Sequence, residues 1–477
     1  MRETTKSDLD VLVIGGGQAG IPLAHALAAA GRRVALAERR HLGGSCVNFG
    51  CTPTKAVVAS ARVASLARRG AAYGLRIPHV TVDFPAVLDR ARSIVAQTRG
   101  ALHRRFGAVG EYPMLLQGAA RLEGRDGSLF RVSVAGKVHR ARAVVVDTGT
   151  RTDIPDIEGL RSVSFLDAGN WLHRPELPEH VVFLGGGYIG LEMGQFYRRM
   201  GSRVTILERS ARILSNEDPD VASALHSCLE SEGIQFRTDT QLTKVVPVGR
   251  RKIELRTDSP LGRGVLLASH LFAAAGRRPN TDDLGLATVG LRLPRSGFVP
   301  VNERLETPVK GLYAAGDVRG GPMYTHTAWD DYRVLESQLL GDGSRTTRRI
   351  VPYAIFTDPE LGRVGMTARE ARRATSHLAI GKFEMRGNGK ARERGETDGF
   401  VKLLVDAKND RLLGAAVLSA EGSELVHLLV DLMNAGAPVA ALRDAIHIHP
   451  TLAEAVQGAA LAAVETKRRD RRGRARR

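Results

Sequence analysis

Two stretches of this chain repeat one pattern of apolar and polar positions. Leu9 to Ile14 is a short apolar run ending in Gly15-Gly16-Gly17-Gln18-Ala19-Gly20; a helical stretch follows through Ala30, and Arg33 to Ala37 reads as a second strand closed by Glu38. The pattern returns as Val181 to Leu184, Gly185-Gly186-Gly187-Tyr188-Ile189-Gly190, a helix to Met200, and Arg203 to Leu207 closed by Glu208. Short apolar runs that stop at glycine turns and lead into helices predict buried parallel strands with crossover helices. Between the two units, Lys55 to Arg69 (with Val57, Val58, Val63 and Leu66) and Pro85 to Arg105 predict helices, and Val144 to Asp147 a strand ending at Thr148-Gly149. Further on, Leu271 to Ala275 leads to Gly276-Arg277-Arg278-Pro279-Asn280, and Leu312 to Ala315 to Gly316-Asp317. Beyond Val351 the pattern changes: Val401 to Val405 and Ala415 to Leu418 predict strands, with helices from Glu424 and from Ala453.

Each unit carries GxGxxG between a strand and a helix. Glycines at 15, 17 and 20 permit the tight turn, the approach of backbone to a diphosphate and close helix–strand packing, and the helix N-terminus then faces the phosphates. Glu38 comes 18 residues after the last glycine, placed to accept from a ribose hydroxyl. Gly185, Gly187, Gly190 and Glu208 repeat the device about 170 residues later. Glycines kept only for helix packing could explain one such motif, but not two with the same internal spacing. Two dinucleotides are therefore expected.

The run Gly43-Gly44-Ser45-Cys46-Val47-Asn48-Phe49-Gly50-Cys51-Thr52-Pro53-Thr54-Lys55 follows the first unit closely and holds two of the chain's three cysteines. A single structural disulfide would do little for so long a chain. Zinc needs about four ligands, and no second cysteine pair or Cys/His cluster supplies them. A redox pair remains, and a flavin adenine dinucleotide on the first unit with a nicotinamide dinucleotide on the second would complete a hydride path into it. No resident metal is expected.

At 477 residues the chain has room for roughly two to four domains. Low cysteine usage fits a reducing compartment, the polar start from Met1 to Asp10 offers no secretory apolar region, and no stretch reaches the roughly 18 apolar residues of a membrane span. A cytoplasmic location follows as the expectation. The net charge of +18 points first to nucleic acid, but Lys467 to Arg477 alone contributes +7, from eight basic residues and one acid. With no aromatic-studded basic face beside it, that segment is read as a disordered solvated tail and not as a nucleic-acid-binding element.

The motifs GGSCVNFGCTPTK, GGGYIGLE, GRRPN, YAAGD and HPTLAE, in this order, resemble the class I pyridine nucleotide–disulfide oxidoreductases, the group of dihydrolipoamide dehydrogenase, glutathione reductase and mercuric reductase. The resemblance spans about residues 8 to 464 and is closest to the mercuric-reductase-like branch. It implies an α/β fold with two Rossmann-like dinucleotide-binding domains, for FAD and NAD(P), and a C-terminal α+β dimerisation domain. The implied division is 8–150 (FAD, first part), 151–275 (NAD(P)), 276–345 (FAD/central, second part), 350–465 (dimerisation) and 466–477 (tail).

By the same resemblance, Cys51 is the charge-transfer thiol beside the flavin and Cys46 the outer interchange thiol. Lys55 sits by the flavin and pairs with Glu192; it is the only lysine between Lys6 and Lys137. Tyr188 is the flap over the nicotinamide pocket, Asp317 binds the flavin side chain, and Gly149, Gly276, Arg277 and Gly316 line cofactor sites. His449 and Glu454 match the acid–base dyad that a partner subunit delivers in a homodimer.

Mercuric reductases close with a vicinal cysteine pair, which this sequence does not show; its third cysteine, Cys228, is expected to be a small buried residue of a helix over Val221 to Glu232. The expected substrate is a small disulfide, a dithiol or a metal ion. Glu208 favours NAD(H), since a carboxylate suits a ribose diol, while Arg209 and Arg212 leave NADP(H) open. Two other readings stand beside this one: a flavin NADH oxidase or quinone reductase that makes no use of the dithiol, and a redox-sensing flavoprotein without turnover.

Overall fold

The computed structural model describes residues 8–108, 110–249 and 251–475, the last ten as helical backbone. Residues 1–7, and with them most of the polar start, lie outside the described residues, as do the side chains of the basic C-terminal segment.

Leu9–Ile14 pairs in parallel with Val34–Glu38 on one side and Lys137–Val146 on the other, at the centre of a seven-stranded sheet. Met114–Gln117 adds to one edge, Leu312–Ala314 pairs in parallel with Lys137–Val146, and Leu129–Val134 and Ala120–Asp126 extend the sheet in antiparallel fashion. The central segments Val11–Ile14, Val34–Ala37 and Val144–Val146 are buried, and their side chains are apolar on both faces. The antiparallel strands have no counterpart in the sequence reading. They carry charged residues at most exposed positions, as in Arg121, Glu123 and Arg125, and give no sustained apolar run.

A second, all-parallel sheet runs in the order Gln235–Arg237, Arg203–Leu207, His180–Leu184, His270–Ala273, Leu166–Asp167. A three-stranded antiparallel meander over Gln241–Val248, Lys252–Ser259 and Gly262–Ala268 is inserted before its fourth strand. The chain leaves the first sheet through Thr150–Thr152 and returns through Arg277–Pro279, and these two short strands pair with each other. A third sheet is antiparallel, in the order Tyr353–Ile355, Glu360–Gly365, Arg411–Ser419, Phe400–Asp406, Leu378–Glu384. The helices Gly422–Asn434 and Glu454–Ala475 pack on it, burying Val426, Leu429, Val456, Ala459 and Ala460.

Three sequence expectations change. The helix expected from Lys55 starts at Cys51 and runs to Arg68; its buried face is Ala56, Val57, Ala61 and Ala64, while Val63 is exposed. Alanines serve there because the helix lies against two others, Phe84–Gly107 and Tyr188–Met200, and close approach needs small side chains. Cys228 is only half-buried, since its helix, Pro219–Ser231, turns Val221, Ala222, Leu225 and Leu229 to the core. The basic segment read as a disordered tail continues the last helix to Ala475, consistent with the high helix propensity of arginine. Among the described residues, no helix is long and apolar enough to cross a membrane.

Candidate active site

Gly43 and Gly44 take positive φ (95° and 60°) and turn the cysteine run back onto the first glycine loop. The amide of Gly43 donates to Gly16 O (2.8 Å), and a Cβ on Gly44 would stand 3.0 Å from Gly17 Cα. Cys46 then lies in the short helix Gly44–Asn48, and Cys51 opens the helix Cys51–Arg68. A thiolate at a helix N-terminus is favoured by the unpaired amides there. Lys55, one turn later, falls on the same face.

Both cysteines are free thiols, Cys46 half-buried and Cys51 open to a cavity. The hydrogen bond from the Cys46 thiol is the strongest influence on Cys51. With the Thr325 hydroxyl, 3.2 Å from Cys51 Sγ, and the Lys55 ammonium it outweighs burial and brings the Cys51 thiol down to about 6. The same bond, then burial, push the Cys46 thiol up. The pair therefore holds one proton, on Cys46.

Lys55 Nζ donates to Glu192 Oε2 (2.7 Å), whose carboxylate is 3% exposed and also accepts from the amide of Phe356 (2.9 Å). One carboxylate thus joins the cysteine helix, the second unit's helix Tyr188–Met200 and the entry to the third sheet. Tyr353, on that entry strand, stacks on Tyr324 (5.4 Å between ring centres, 8° between planes) and donates its hydroxyl to the buried Glu217. Tyr324 in turn precedes Thr325 at the start of the helix Thr325–Leu340.

Glu38 accepts from the amides of Gly16 (2.8 Å) and Arg40 (2.7 Å), and Glu208 from those of Gly186 (2.8 Å) and Ser210 (2.7 Å), so the two units repeat in hydrogen bonds as well as in sequence. A Cβ on Gly20 would stand 2.3 Å from Gly15 O, and one on Gly190 would stand 2.1 Å from Gly185 O, which requires glycine at both. Asp317 Oδ2 accepts from Thr150 (3.1 Å) and Arg277 (3.3 Å), and Arg277 Nε also donates to Thr150 (2.7 Å).

A cavity of ≈ 1360 Å³ is lined by Gly15, Gly17, Glu38, Cys46, Cys51, Lys55, Gly149, Tyr188, Glu192, Arg277 and Asp317. A dinucleotide fits these walls: the glycine turn that leads into the helix Gly20–Ala29 lines the cavity and leaves no room for a side chain at Gly15 or Gly17, and the Glu38 carboxylate lies on the same wall. Gly20, Gly276 and Gly316 do not line this cavity, and Gly185, Gly187, Gly190 and Glu208 form their own turn in the second unit. His449 and Glu454 are not brought to the cysteines within one chain. His449 Nδ1 bonds Glu454 Oε1 (2.9 Å), Thr451 N holds Glu454 Oε2 (2.8 Å), and the imidazole is 76% exposed. The Thr451 amide, then His449, hold the Glu454 carboxyl below its usual range.

Sequence reading assigned no role to Thr325, Tyr324, Tyr353 or Asp147, all of which line this cavity. Only Asp147 had a local signal, an acid at the end of an apolar strand. The others reach the site through contacts between distant segments. Among the described residues, no cluster of three or more His, Cys, Asp or Glu is poised to hold a metal ion.

Comparison with known proteins extends over most of the chain. Residues 9–331 match the family model described as pyridine nucleotide-disulphide oxidoreductase, and residues 351–460 match that family's dimerisation domain. A probable pyridine nucleotide-disulfide oxidoreductase, RclA, of Escherichia coli is 32% identical over 453 residues, covering 93% of this chain and 97% of the relative. A dihydrolipoyl dehydrogenase of Cupriavidus necator is 33% identical over 466 residues (95% and 97%), and a mercuric reductase of Staphylococcus aureus 29% over 459 (95% and 82%). Among solved structures, the Cu(II) complex of the HOCl-induced flavoprotein disulfide reductase RclA superposes with a TM-score of 0.85 at 30% identity, covering 95% of this chain and 99% of that one.

Proposed function

The chain belongs to the pyridine nucleotide-disulfide oxidoreductases, FAD-dependent enzymes with a redox-active cysteine pair, and on that premise we propose how its own residues divide the work. Units 8–150 and 276–345 hold FAD, unit 151–275 holds the pyridine nucleotide, and unit 350–465 pairs two copies. Bound FAD supplies two-electron transfer between the nicotinamide and the cysteine sulfurs. One observation carries the assignment: a single cavity gathers the first glycine turn, both cysteines, Lys55, and Tyr188 and Glu192 of the second unit.

Cys51 acts as the thiolate that faces the flavin, stabilised by Cys46, Thr325 and Lys55. Glu192 fixes Lys55 and is itself pinned by the Phe356 amide, so the ammonium stays beside the cysteines. Cys46 meets substrate. Because it keeps its proton in the single chain, it needs a base, and the exposed His449–Glu454 pair of a second copy is suited to the task. With a disulfide, the Cys46 thiolate attacks one sulfur, and the leaving thiolate takes the proton held on His449. Cys51 then attacks the Cys46 sulfur, closing the Cys46–Cys51 disulfide and releasing the second thiolate, which takes up one proton from solution. Two electrons from the reduced pyridine nucleotide reopen it. The balance is one disulfide, one NAD(P)H and one proton giving two thiols and NAD(P)⁺, and a dithiol substrate runs the path in reverse.

NAD(H) is the favoured partner, since Glu208 holds at the second unit the position Glu38 holds at the first, where a carboxylate repels a 2′-phosphate. The substrate is a small disulfide, a dithiol or a metal ion. Steady-state turnover with NADH and with NADPH against lipoamide, a glutathione-type disulfide, Hg(II) and Cu(II) tests the proposal. Turnover of at least one acceptor, lost in Cys46→Ser, is expected. Full turnover of a quinone or dioxygen in the double Cys→Ser variant, with none of these acceptors reduced, would replace it with an oxidase reading.

A further inference from the structure

Asp147 ends the strand Lys137–Val146 directly beneath the first glycine turn, and the path from nucleotide to sulfur makes no use of it. Its amide donates to Ile14 O (2.8 Å), and its Oδ2 accepts from the amide of Gly20 (2.7 Å). A Cβ on Gly15 would stand 2.2 Å from Asp147 O, one on Gly17 2.7 Å from Oδ2, and one on Gly316 2.7 Å from Oδ1. This one residue therefore touches both glycine turns that frame the first dinucleotide site, Gly15–Gly20 and Gly316–Asp317. It is 6% exposed, and what it exposes faces the cavity.

A diphosphate brings two negative charges to a glycine turn of this kind, and an ionised carboxylate there would repel them. A neutral carboxylic acid would instead offer an O–H donor while still accepting from Gly20 N. We propose that Asp147 belongs to the flavin site as a buried carboxylic acid that ties the two glycine turns together and retains the dinucleotide diphosphate only in its protonated form. The inference rests on FAD occupying the first unit.

The surroundings hold the proton in place. Burial pushes the Asp147 carboxyl well above the usual range; the Gly20 amide opposes this, and the carboxylates of Asp317, Asp331 and Glu38 add to it. Cations nearby are already committed to other acids: Arg277 to Asp317, and Arg319 and Arg349 to Asp331. A bound diphosphate adds negative charge and holds the proton more firmly. As pH rises through the carboxyl's titration the donor is lost and repulsion replaces it, so flavin affinity falls with rising pH.

Flavin release from the holoenzyme, followed by the fluorescence of free FAD on dilution from about pH 6 to about pH 10, tests this. In the wild type the dissociation constant is expected to rise by roughly tenfold per pH unit above the Asp147 titration. Asp147→Asn keeps the shape, the acceptor and a neutral donor, and is expected to hold FAD with a flat profile. Asp147→Ala is expected to bind FAD weakly at every pH. A flat wild-type profile, or parallel rises in the wild type and the Asn variant, overturns the assignment while leaving the flavin reading intact. A folded protein that takes up no FAD at any pH overturns both.

Discussion

A single proton shared by two sulfurs sets the chemistry at the residue scale. Cys51 is drawn down to about 6 and Cys46 is pushed up, by the same hydrogen bond seen from its two ends. The thiolate on Cys51 is present above its titration point and lost as pH falls through it. Thr325 contributes a hydroxyl to that thiolate at 3.2 Å, and a hydrogen bond to a charged group is worth about 1.5–3 kcal/mol, or roughly one to two pH units. Thr325→Val is therefore expected to move the loss of the thiolate absorption of the reduced pair upward by about that much. An unmoved titration would mean that Cys46 and Lys55 suffice. The cysteines, Lys55 and the two glycine motifs were legible in the sequence because each sits in a contiguous motif whose chemistry depends on spacing. Thr325 was not, since its partner is 274 positions away and nothing local marks the contact.

Helices set the distances between units at the scale of elements. The helix Tyr188–Met200 carries Glu192 to Lys55 and, two turns on, Arg199 to Glu232 (2.6 Å) and Asp358 (2.9 Å). Arg62, on the cysteine helix, closes the group by reaching Asp358 (2.9 Å) and Glu396 (2.6 Å). Arg199 is 7% exposed, so removing its charge takes the ion-pair partner from the part-buried Glu232 and leaves Asp358 with Arg62 alone. Arg199→Met is expected to lower stability by about 1.5–3 kcal/mol, read from the urea midpoint of the holoenzyme. A shift below about 1 kcal/mol would place the cluster among surface pairs of little weight. The strand–turn–helix units were readable because buried parallel strands keep continuous apolar runs. The antiparallel extension over Ala120–Asp126 and Leu129–Val134 and the meander over 241–268 were not, because half-exposed strands mix charged and apolar positions and their pairing is fixed by turns.

At the scale of the whole molecule, the cysteine cavity of one chain does not include the His449–Glu454 pair. The His449–Glu454 pair is assembled but exposed and away from the cysteines of its own chain, and Ile446 and Ile448 beside it are exposed as well. The proposal that a second copy supplies His449 accounts for both. Unfolding and refolding an equal mixture of Cys46→Ser and His449→Ala variants, each inactive alone, is expected to restore about a quarter of wild-type turnover, because each mixed dimer regains one intact site of two. No recovery, with mixed dimers demonstrably formed, would place the acid and base within one chain. The His449–Glu454 pairing was legible as a motif, whereas the proposed approach to the cysteines of a second copy is something no pattern along one chain encodes.

The most direct test of the central claim, a dithiol relay between a pyridine nucleotide and a substrate, is an anaerobic titration of the FAD-loaded protein with NADH, followed across the visible spectrum. A long-wavelength band from the Cys51 thiolate against oxidised flavin is expected in the wild type and absent in Cys51→Ser. Bleaching of the flavin without that band, and identical in the two proteins, would contradict the relay.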